Sequence, residues 1–231
     1  DFYVVEFPKS GITWLSTLLA NMALIESGRE EVASFSQAHL FVPDIHISRV
    51  IGRVAYDRPP VRFIKSHAAF NKNYIFVIYL VRHPVDVMKS YFRYQKERNG
   101  LVQNDFLDFC KSPRFGIPAW KKHINSWISG KTISQRLHVI RYEDLIENTA
   151  YELSELSDNF GWSICMESIK KAVDRSRIDK MKESEALLKK RNPRHAITAV
   201  GGGTSFFVSD EAKEYVEVMC HDELLLLGYL S

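Results

Sequence analysis

Cysteines are few in this chain, and they lie too far apart to form a recognisable set. Its 231 residues include only Cys110, Cys165 and Cys220, and no CxxC pair occurs. Neither a disulfide framework nor a thiolate zinc site can be recognised from this spacing. We therefore expect no such framework, no metal centre, and a reducing, cytoplasmic environment.

Long apolar runs and a strong charge of one sign are also missing. The apolar stretch "LLLLGYL" at 224–230 is much shorter than the about 20 residues that span a bilayer. The 31 basic and 28 acidic side chains leave a net charge of +3, which is too small to indicate general binding to nucleic acid or a membrane surface. We expect no membrane span and no nucleic-acid partner, so any functional basic character must be local.

The composition predicts one domain over residues 1–231. The chain is 45% hydrophobic and 12% aromatic, which is enough for a sizeable core, and no segment is repetitive. It starts in a strand-like run without an initiator Met or a basic leader segment, so we expect Asp1 not to be the natural N-terminus.

Three segments are predicted to be lid or cover loops, namely 34–60, 99–118 and 189–207. The first two carry aromatic residues among polar ones, and the third carries basic residues and glycines. The aromatic side chains either line a pocket or pack on the domain, and we favour the pocket. They are Phe35, Phe41, Tyr56, Phe106, Phe109 and Phe115.

Four short apolar runs indicate the strands of a sheet. They lack the polar alternation of a half-exposed sheet, and helical patterns separate them. The runs are "FYVVEF" at 2–7, "VRFIKS" at 61–66, "YIFVIYLV" at 74–81 and "LHVIRY" at 137–142. We predict an α/β fold: a three-layer, P-loop-like domain with a central, mostly parallel sheet flanked by helices. Ligands of such a sheet lie at the carboxyl ends of the strands.

The stretch "PKSGITW" follows the first predicted strand and has the parts of an anion-binding loop. Gly11 allows close backbone approach, Ser10 and Thr13 add hydroxyl donors, and Lys9 adds a full charge at the N-terminus of a helix. In the alternative interpretation, Ser10 only caps the helix and Lys9 is a solvated flank. No GxxxxGK[ST] occurs and Lys9 precedes the glycine, which argues against the familiar nucleotide loop.

A second candidate anion site follows the third predicted strand. Arg82 ends that strand, Pro84 can begin a helix, and Ser90 lies about two turns along it. Arginine suits bidentate capture of a phosphate, although Arg82 could instead pair with Asp86 while Ser90 faces solvent. Two anion sites at neighbouring strand ends would suit a ligand that carries phosphates at two positions.

The stretch "KSH" follows the second predicted strand and contains a candidate general base. His67 could take a proton from a hydroxyl at neutral pH, with Lys65 beside it. The alternative for His67 is a structural role, which is also our expectation for His123 and His138 because they lie within predicted elements.

Four motifs follow one another along the chain, namely "PKSGITWL", "RFIKSH", "YLVRHPVDVMKSYFRY" and "VIRYEDL". In this order they resemble the motifs of the sulfotransferases that use 3′-phosphoadenosine 5′-phosphosulfate (PAPS). The resemblance is strongest to the cytosolic type that acts on small hydroxylated acceptors, and it covers nearly the whole chain. It implies that Lys9–Trp14 binds the 5′-phosphosulfate, with Lys9 catalytic and Trp14 stacked on adenine. It also implies that His67 is the catalytic base and that Lys65 lies near the acceptor.

The resemblance further implies the remaining nucleotide contacts. Arg82 and Ser90 correspond to the pair that binds the 3′-phosphate, Tyr142 to an aromatic residue at the adenine, and Ser176 to a hydroxyl near that base. The loop departs from the family at Ile12, where a threonine is usual, so one hydroxyl is lost while the backbone N–H remains.

The C-terminal part of the resemblance is weaker. The family's Arg-Lys-Gly stretch over the 3′-phosphate is not recognisable in "KKRNPRHAITAVGGGTSFF". Arg194 or Arg191 could take its place, with Gly201–Gly203 as a mobile cover, or the basic stretch could be a solvated loop.

The predicted function is metal-independent, in-line sulfuryl transfer from PAPS to a small hydroxylated acceptor, with 3′-phosphoadenosine 5′-phosphate (PAP) as product. A phenol or an alcohol fits a histidine base, and an amine or a sugar stays open, as does the oligomeric state. Two alternatives stand beside it: a P-loop-type nucleotide kinase and a non-catalytic module that binds PAP or PAPS.

Overall fold

The computed structural model describes residues 1–46, 61–100, 105–130, 132, 135–191 and 208–230. Within them the sheet has four strands, and every neighbouring pair is parallel. The strands are β1 (Phe2–Glu6), β2 (Phe63–Ser66), β3 (Phe76–Val81) and β4 (Arg136–Arg141), in the order β2-β1-β3-β4. The predicted parallel sheet is confirmed, and each strand overlaps the apolar run that predicted it.

Helices join the strands and continue to the end of the described chain. They are α1 (Ile12–Glu26), α2 (Ala38–Phe41), α3 (Pro84–Asn99), α4 (Phe106–Lys111), α5 (Ile117–Gly130), α6 (Tyr142–Glu147), α7 (Thr149–Phe160), α8 (Met166–Arg175), α9 (Ile178–Arg191), α10 (Asp210–Met219) and α11 (His221–Leu226). No helix in these described ranges is long and apolar enough to cross a membrane.

The sheet is covered on both faces, which explains why its strands are continuously apolar. Along β1, Val4 faces one apolar cluster and Val5 faces the other, and both are fully buried. The first cluster contains residues of α1, α6, α7 and α8, and the second contains residues of α3, α4, α5, α10 and α11. Helix, sheet and helix therefore form the three predicted layers.

The predicted lid segments are described only in part. Residues 47–60 and 192–207, which include Tyr56 and Arg194, lie outside the described residues. Within 99–118, Phe106 and Phe109 lie on α4 and are buried in the second apolar cluster, where Phe92 of α3 contacts both rings. These two side chains pack on the domain, as the alternative interpretation held, and do not line an open pocket.

Candidate active site

The ends of three neighbouring strands bring the predicted motifs to one edge of the sheet. β1 lies between β2 and β3, so the loop after β1 is flanked by "KSH" after β2 and by Arg82 after β3. The carboxyl ends of parallel strands share an edge, which is where ligands of such sheets bind. Sequence reasoning placed these motifs together, and the topology does so as well.

The loop after β1 turns sharply into α1. Lys9 has a φ of 81° and Gly11 has a φ of 113°, so two of its residues lie in the left-handed region. The Ser10 hydroxyl is buried and donates to the Phe7 carbonyl at 2.9 Å. The N-cap of α1 is Gly11, which makes no side-chain cap, so the interpretation of Ser10 as a simple helix cap is wrong.

Gly11 is required at its position by a neighbouring aromatic ring. A Cβ added there would lie 2.5 Å from Cδ2 of Tyr142, which is far inside van der Waals contact. The same ring meets Trp14 edge-to-face at 6.0 Å, and the Arg82 guanidinium lies 4.5 Å from its centroid. Tyr142 therefore joins the loop, the start of α1 and the end of β3.

Arg82 lies against the ring of Tyr142, and no carboxylate in the described part of the chain pairs with it. Its Nε is buried and has no hydrogen-bond partner among the described residues. The carboxylate proposed as its alternative partner, Asp86, instead lies 3.5 Å from the ammonium of Lys89. Ser90 follows Asp86 by one turn of α3, and its side chain is partly exposed. Arg82 thus has donors available for an anion at this edge of the sheet.

His67 lies on the other side of the loop, between two carboxylates. Its Nδ1 is 3.7 Å from Glu6 Oε1, and its Nε2 is 3.8 Å from Asp44 Oδ2. Asp44 also lies 3.8 Å from the ammonium of Lys65. Burial, followed by the charge of Lys65, lowers the pKa of His67 below its usual value despite the two carboxylates. A neutral imidazole at pH 7 is the form that can accept a proton.

The chain as a whole matches one family. A family model described as "Sulfotransferase domain" matches residues 1–218. This chain belongs to the sulfotransferase family. Mouse sulfotransferase 1B1 is 26% identical over 200 residues, which are 80% of this chain and 66% of that protein. Bovine sulfotransferase 1E1 is 27% identical over 198 residues, with 80% and 66% covered.

Other members extend the comparison. Zebrafish cytosolic sulfotransferase 1 is 27% identical over 203 residues, covering 80% of this chain and 67% of that protein. This chain therefore spans about two thirds of the length of the relatives that it matches. The structure of mouse sulfotransferase SULT7A1 complexed with PAP has a TM-score of 0.69 at 19% identity, with 97% of this chain and 83% of that one covered. Retinol dehydratase in complex with androsterone and PAP has a TM-score of 0.66 at 18% identity, with 97% and 81% covered.

The side chain of Lys9 in this sulfotransferase-family loop points towards α3. Its ammonium lies 4.6 Å from the centroid of the Tyr94 ring. Tyr94 follows Ser90 by one turn of α3, so the ammonium of the predicted catalytic lysine lies near the face of α3 that carries the predicted 3′-phosphate serine. Sequence reasoning did not single out Tyr94, although its spacing from Ser90 would have placed it on that face.

Trp14 and Ser176, both predicted to lie at the adenine, are in contact. The Trp14 indole N–H donates to the backbone carbonyl of Ser176 at 3.0 Å, and both residues are buried. The Ser176 hydroxyl donates to the Thr17 carbonyl at 3.3 Å and accepts from Asn21 Nδ2 at 2.9 Å. Only one lone pair of that hydroxyl is left, so Ser176 could accept a hydrogen bond from a ligand but not donate one.

His123 has the structural role expected for it. Its Nε2 faces the Ala68 carbonyl at 3.0 Å, and because a carbonyl only accepts, this nitrogen carries the proton. Its Nδ1 then accepts from the Tyr79 hydroxyl at 2.8 Å. Burial lowers the pKa of His123 to about 4. The Trp127 indole also donates to Ala68, at 3.0 Å, so α5 fixes the backbone directly after His67.

Sequence reasoning missed two acidic residues of the site. Glu6 is 3% exposed and accepts two backbone hydrogen bonds from the loop, and Asp44 precedes β2 beside Lys65 and His67. A carboxylate at the buried end of a strand, just before an anion-binding loop, was the signal available for Glu6. Asp44 had no local signal. In the described parts of the chain no group of three or more His, Cys, Asp or Glu side chains could hold a metal ion.

Two arginines are predicted to contact the 3′-phosphate from the C-terminal part of the chain. Arg194 lies outside the described residues, and Arg191 is the last residue of α9 with no described side chain. Their assignment to the 3′-phosphate stays a prediction.

Proposed function

We propose that this chain transfers a sulfuryl group from PAPS to the hydroxyl of a small-molecule acceptor. The observation that carries the proposal is the convergence of the loop, His67 and Arg82 on one edge of the sheet. Membership of the sulfotransferase family supports the same reaction. The descriptions of both structural neighbours as complexes with PAP agree with PAPS as the co-substrate.

The nucleotide would be held at both ends. The amides of Lys9, Ser10 and Ile12 already donate to Glu6 and Phe7. The amides of Gly11 and Thr13 and the Thr13 hydroxyl would therefore face the 5′-phosphosulfate at the positive end of the α1 dipole, and Arg82 with Ser90 would bind the 3′-phosphate. The adenine would lie against the aromatic and polar group formed by Trp14, Tyr142 and Ser176. Ile12 supplies no hydroxyl, and its backbone N–H donates to Glu6 Oε2 at 2.8 Å. Fixing the nucleotide at two phosphates aligns the sulfur with the acceptor, which lowers the entropic part of the barrier.

The transfer itself would need one proton acceptor and one cation. As the acceptor oxygen bonds to sulfur, its proton passes to His67, and the bond between sulfur and the bridging phosphate oxygen breaks. Negative charge then grows on that oxygen, where Lys9 stabilises it more in the transition state than in the ground state. Lys65, next to His67, would add positive potential on the acceptor side. PAP and the sulfated acceptor are the products.

The acceptor would enter over the side of the sheet that carries His67. We propose that segments 34–60 and 189–207, together with the exposed part of 99–118, cover the bound ligands as part of a single domain. A histidine base suits a phenol or an alcohol. We also propose a cytoplasmic location, because all three cysteines are free thiols and one relative is named a cytosolic sulfotransferase.

Transfer of labelled sulfate from PAPS to phenols, alcohols, amines and glycans tests the proposal directly. We expect transfer to at least one hydroxylated acceptor, with no loss after treatment with EDTA. Lys9→Ala and His67→Ala should each lower kcat by at least about 100-fold, because each removes a group that acts in the transition state. PAP affinity should survive better in His67→Ala, since His67 faces the acceptor.

Three outcomes would contradict the proposal. PAP binding without transfer to any acceptor would favour a non-catalytic module. ATP-dependent phosphate transfer with indifference to PAPS would favour a nucleotide kinase. Full activity of His67→Ala on the best acceptor would remove the base from its assigned role.

A further inference from the structure

A buried carboxylate lies in the centre of the candidate site, and the proposed reaction does not yet use it. Glu6 is the last residue of β1, and its register partner on β3 is Leu80. Its side chain is 3% exposed. Burying a carboxylate beside a loop that binds an anion is electrostatically unfavourable, because the two negative groups repel each other in a medium of low polarity. Such a residue needs a compensating role.

Backbone amides of the loop fix the orientation of the Glu6 carboxylate. Oε2 accepts from the backbone N–H of Ile12 at 2.8 Å, and Oε1 accepts from the backbone N–H of Lys9 at 3.2 Å. The Ile12 amide is the first of α1 and would otherwise have no partner within the helix. Two hydrogen bonds from opposite ends of the turn hold the carboxylate in one place.

The same carboxylate faces the candidate base. Glu6 Oε1 is 3.7 Å from His67 Nδ1, which is buried and makes no close hydrogen bond to a described residue, and the Glu6 backbone also favours the protonated ring. The gap is less than 1 Å longer than a hydrogen bond, so a small rotation of the imidazole would close it. With Nδ1–H directed at Glu6, the lone pair of the ring lies on Nε2, where it can accept a proton.

Charged groups on each element around His67 contribute to its titration. Burial lowers the pKa of His67 most and Lys65 of β2 lowers it further, while Glu6 of β1, through its carboxylate and its backbone, and Asp44 before β2 oppose this shift without reversing it. His123 of α5 also interacts with His67 and stays neutral at pH 7, since burial lowers its pKa to about 4. A positive charge on His67 would thus be flanked by carboxylates at both ring nitrogens.

We propose that Glu6 is a positioning residue for the transfer. Its carboxylate orients His67 through Nδ1 and stabilises the imidazolium that forms when Nε2 takes the proton of the acceptor, while it also holds the loop amides of Lys9 and Ile12. One side chain then couples the geometry of the anion loop to the geometry of the base. This inference rests on the proposed function, because it assigns His67 the role of base.

The test is the titration of His67 by NMR in the wild-type chain and in Glu6→Gln. The glutamine keeps the size and one acceptor oxygen but removes the charge. We expect the pKa of His67 to fall by at least about half a unit, because the carboxylate that favours the imidazolium is gone. His67→Gln identifies the resonance, and Lys65→Met should move the same pKa upward.

Kinetics in the same variants supply the second measurement. Glu6→Gln should lower kcat by at least about tenfold and shift the acidic limb of its pH profile downward, while PAP affinity stays within about threefold. Glu223→Gln is the matched control, because Glu223 is also buried but pairs with Asn125 and Lys121 at 2.7 and 3.2 Å, away from this edge. It should change stability and leave both the pKa of His67 and the pH profile unchanged.

An unchanged pKa of His67 in a folded Glu6→Gln variant would overturn the inference. So would a loss of kcat that only follows a loss of PAP affinity, since Glu6 would then do no more than support the loop. Glu6→Asp, which keeps the charge but withdraws the carboxylate, gives the same test if Glu6→Gln does not fold. A wild-type chain that binds PAP but transfers no sulfate would contradict the proposed function instead, so the two failures are read from different measurements.

Discussion

The ring of Tyr142 occupies the space that a side chain at residue 11 would need. Its Cδ2 would lie 2.5 Å from a Cβ on Gly11, and Gly11 has a φ of 113°. Contact with the ring and backbone conformation thus both require glycine. Because Tyr142 also contacts Trp14 and Arg82, a change at residue 11 should affect the predicted contacts to both the adenine and the 3′-phosphate.

Gly11→Ala should therefore abolish measurable PAP binding and lower the free energy of unfolding. The left-handed backbone alone costs about 1–3 kcal/mol for a residue with a side chain, and displacement of Tyr142 adds to this. Calorimetric titration with PAP and denaturant unfolding measure the two effects. Gly28→Ala is the control, because Gly28 has a φ of 69° but nothing lies within 4 Å of its added Cβ. It should lose stability and keep PAP affinity, and equal PAP affinities in the two variants would contradict the prediction.

Arg82→Gln should weaken binding of PAP far more than binding of adenosine 5′-monophosphate. Arg82 is proposed to contact the 3′-phosphate, which the monophosphate lacks. Loss of a charged hydrogen bond of about 1.5–3 kcal/mol corresponds to a decrease in PAP affinity of about 10- to 100-fold. Arg136→Gln, at an exposed position of β4, should change neither affinity. Equal losses for both nucleotides in Arg82→Gln would show that Arg82 supports Tyr142 and not the 3′-phosphate.

Protonation of His123 should reduce the stability of the fold in acid. Its pKa is about 4 in the folded chain and near the usual 6.5 in the unfolded chain, so the unfolded chain binds more protons between these values. The free energy of unfolding should fall as the pH drops from about 6.5 to about 4, with a total effect on the order of 3 kcal/mol. Denaturant unfolding across this range measures it. His123→Gln should flatten this part of the profile, and an unchanged slope would contradict the assignment.

Tyr229 should stabilise the turn that carries Arg82. Its hydroxyl donates to Glu143 Oε2 at 2.7 Å, and Glu143 Oε1 accepts from the backbone N–H of His83 at 3.0 Å. Burial and the charge of Glu143 raise the pKa of Tyr229, so the hydroxyl stays protonated. Tyr229→Phe should lower the free energy of unfolding by about 1–2 kcal/mol and weaken PAP binding a few-fold. Tyr151→Phe, at a side chain that is 59% exposed, should do neither.

Local patterns predicted the parts of the site that follow strand ends. The apolar runs overlap all four strands of the described sheet, and because these strands are parallel, the residues after β1, β2 and β3 share one edge. The pairing of Arg82 with Asp86 was a reasonable alternative from spacing alone. It failed because Asp86 pairs with Lys89 one turn along α3, while Tyr142 covers Arg82. Spacing along a helix does not tell which of two possible partners is better placed.

The aromatic residues of 99–118 show the same limit. Phe106 and Phe109 stand among polar residues, which suggested an open pocket, yet both are buried against α3. The apolar surface of α3 needs a cover, and α4 supplies it. A composition of mixed polar and aromatic residues is compatible with either arrangement, since burial depends on what packs against the segment.

The sequence by itself determined the strands, the loop with its lysine before the glycine, and the order of the motifs, because hydrophobic periodicity and backbone preference act over a few residues. Only the tertiary structure decided that Glu6 joins the loop to His67 and that Tyr142 excludes a side chain from residue 11. These contacts connect residues that are distant along the chain. They depend on how the strands and helices pack, and no local pattern encodes that packing.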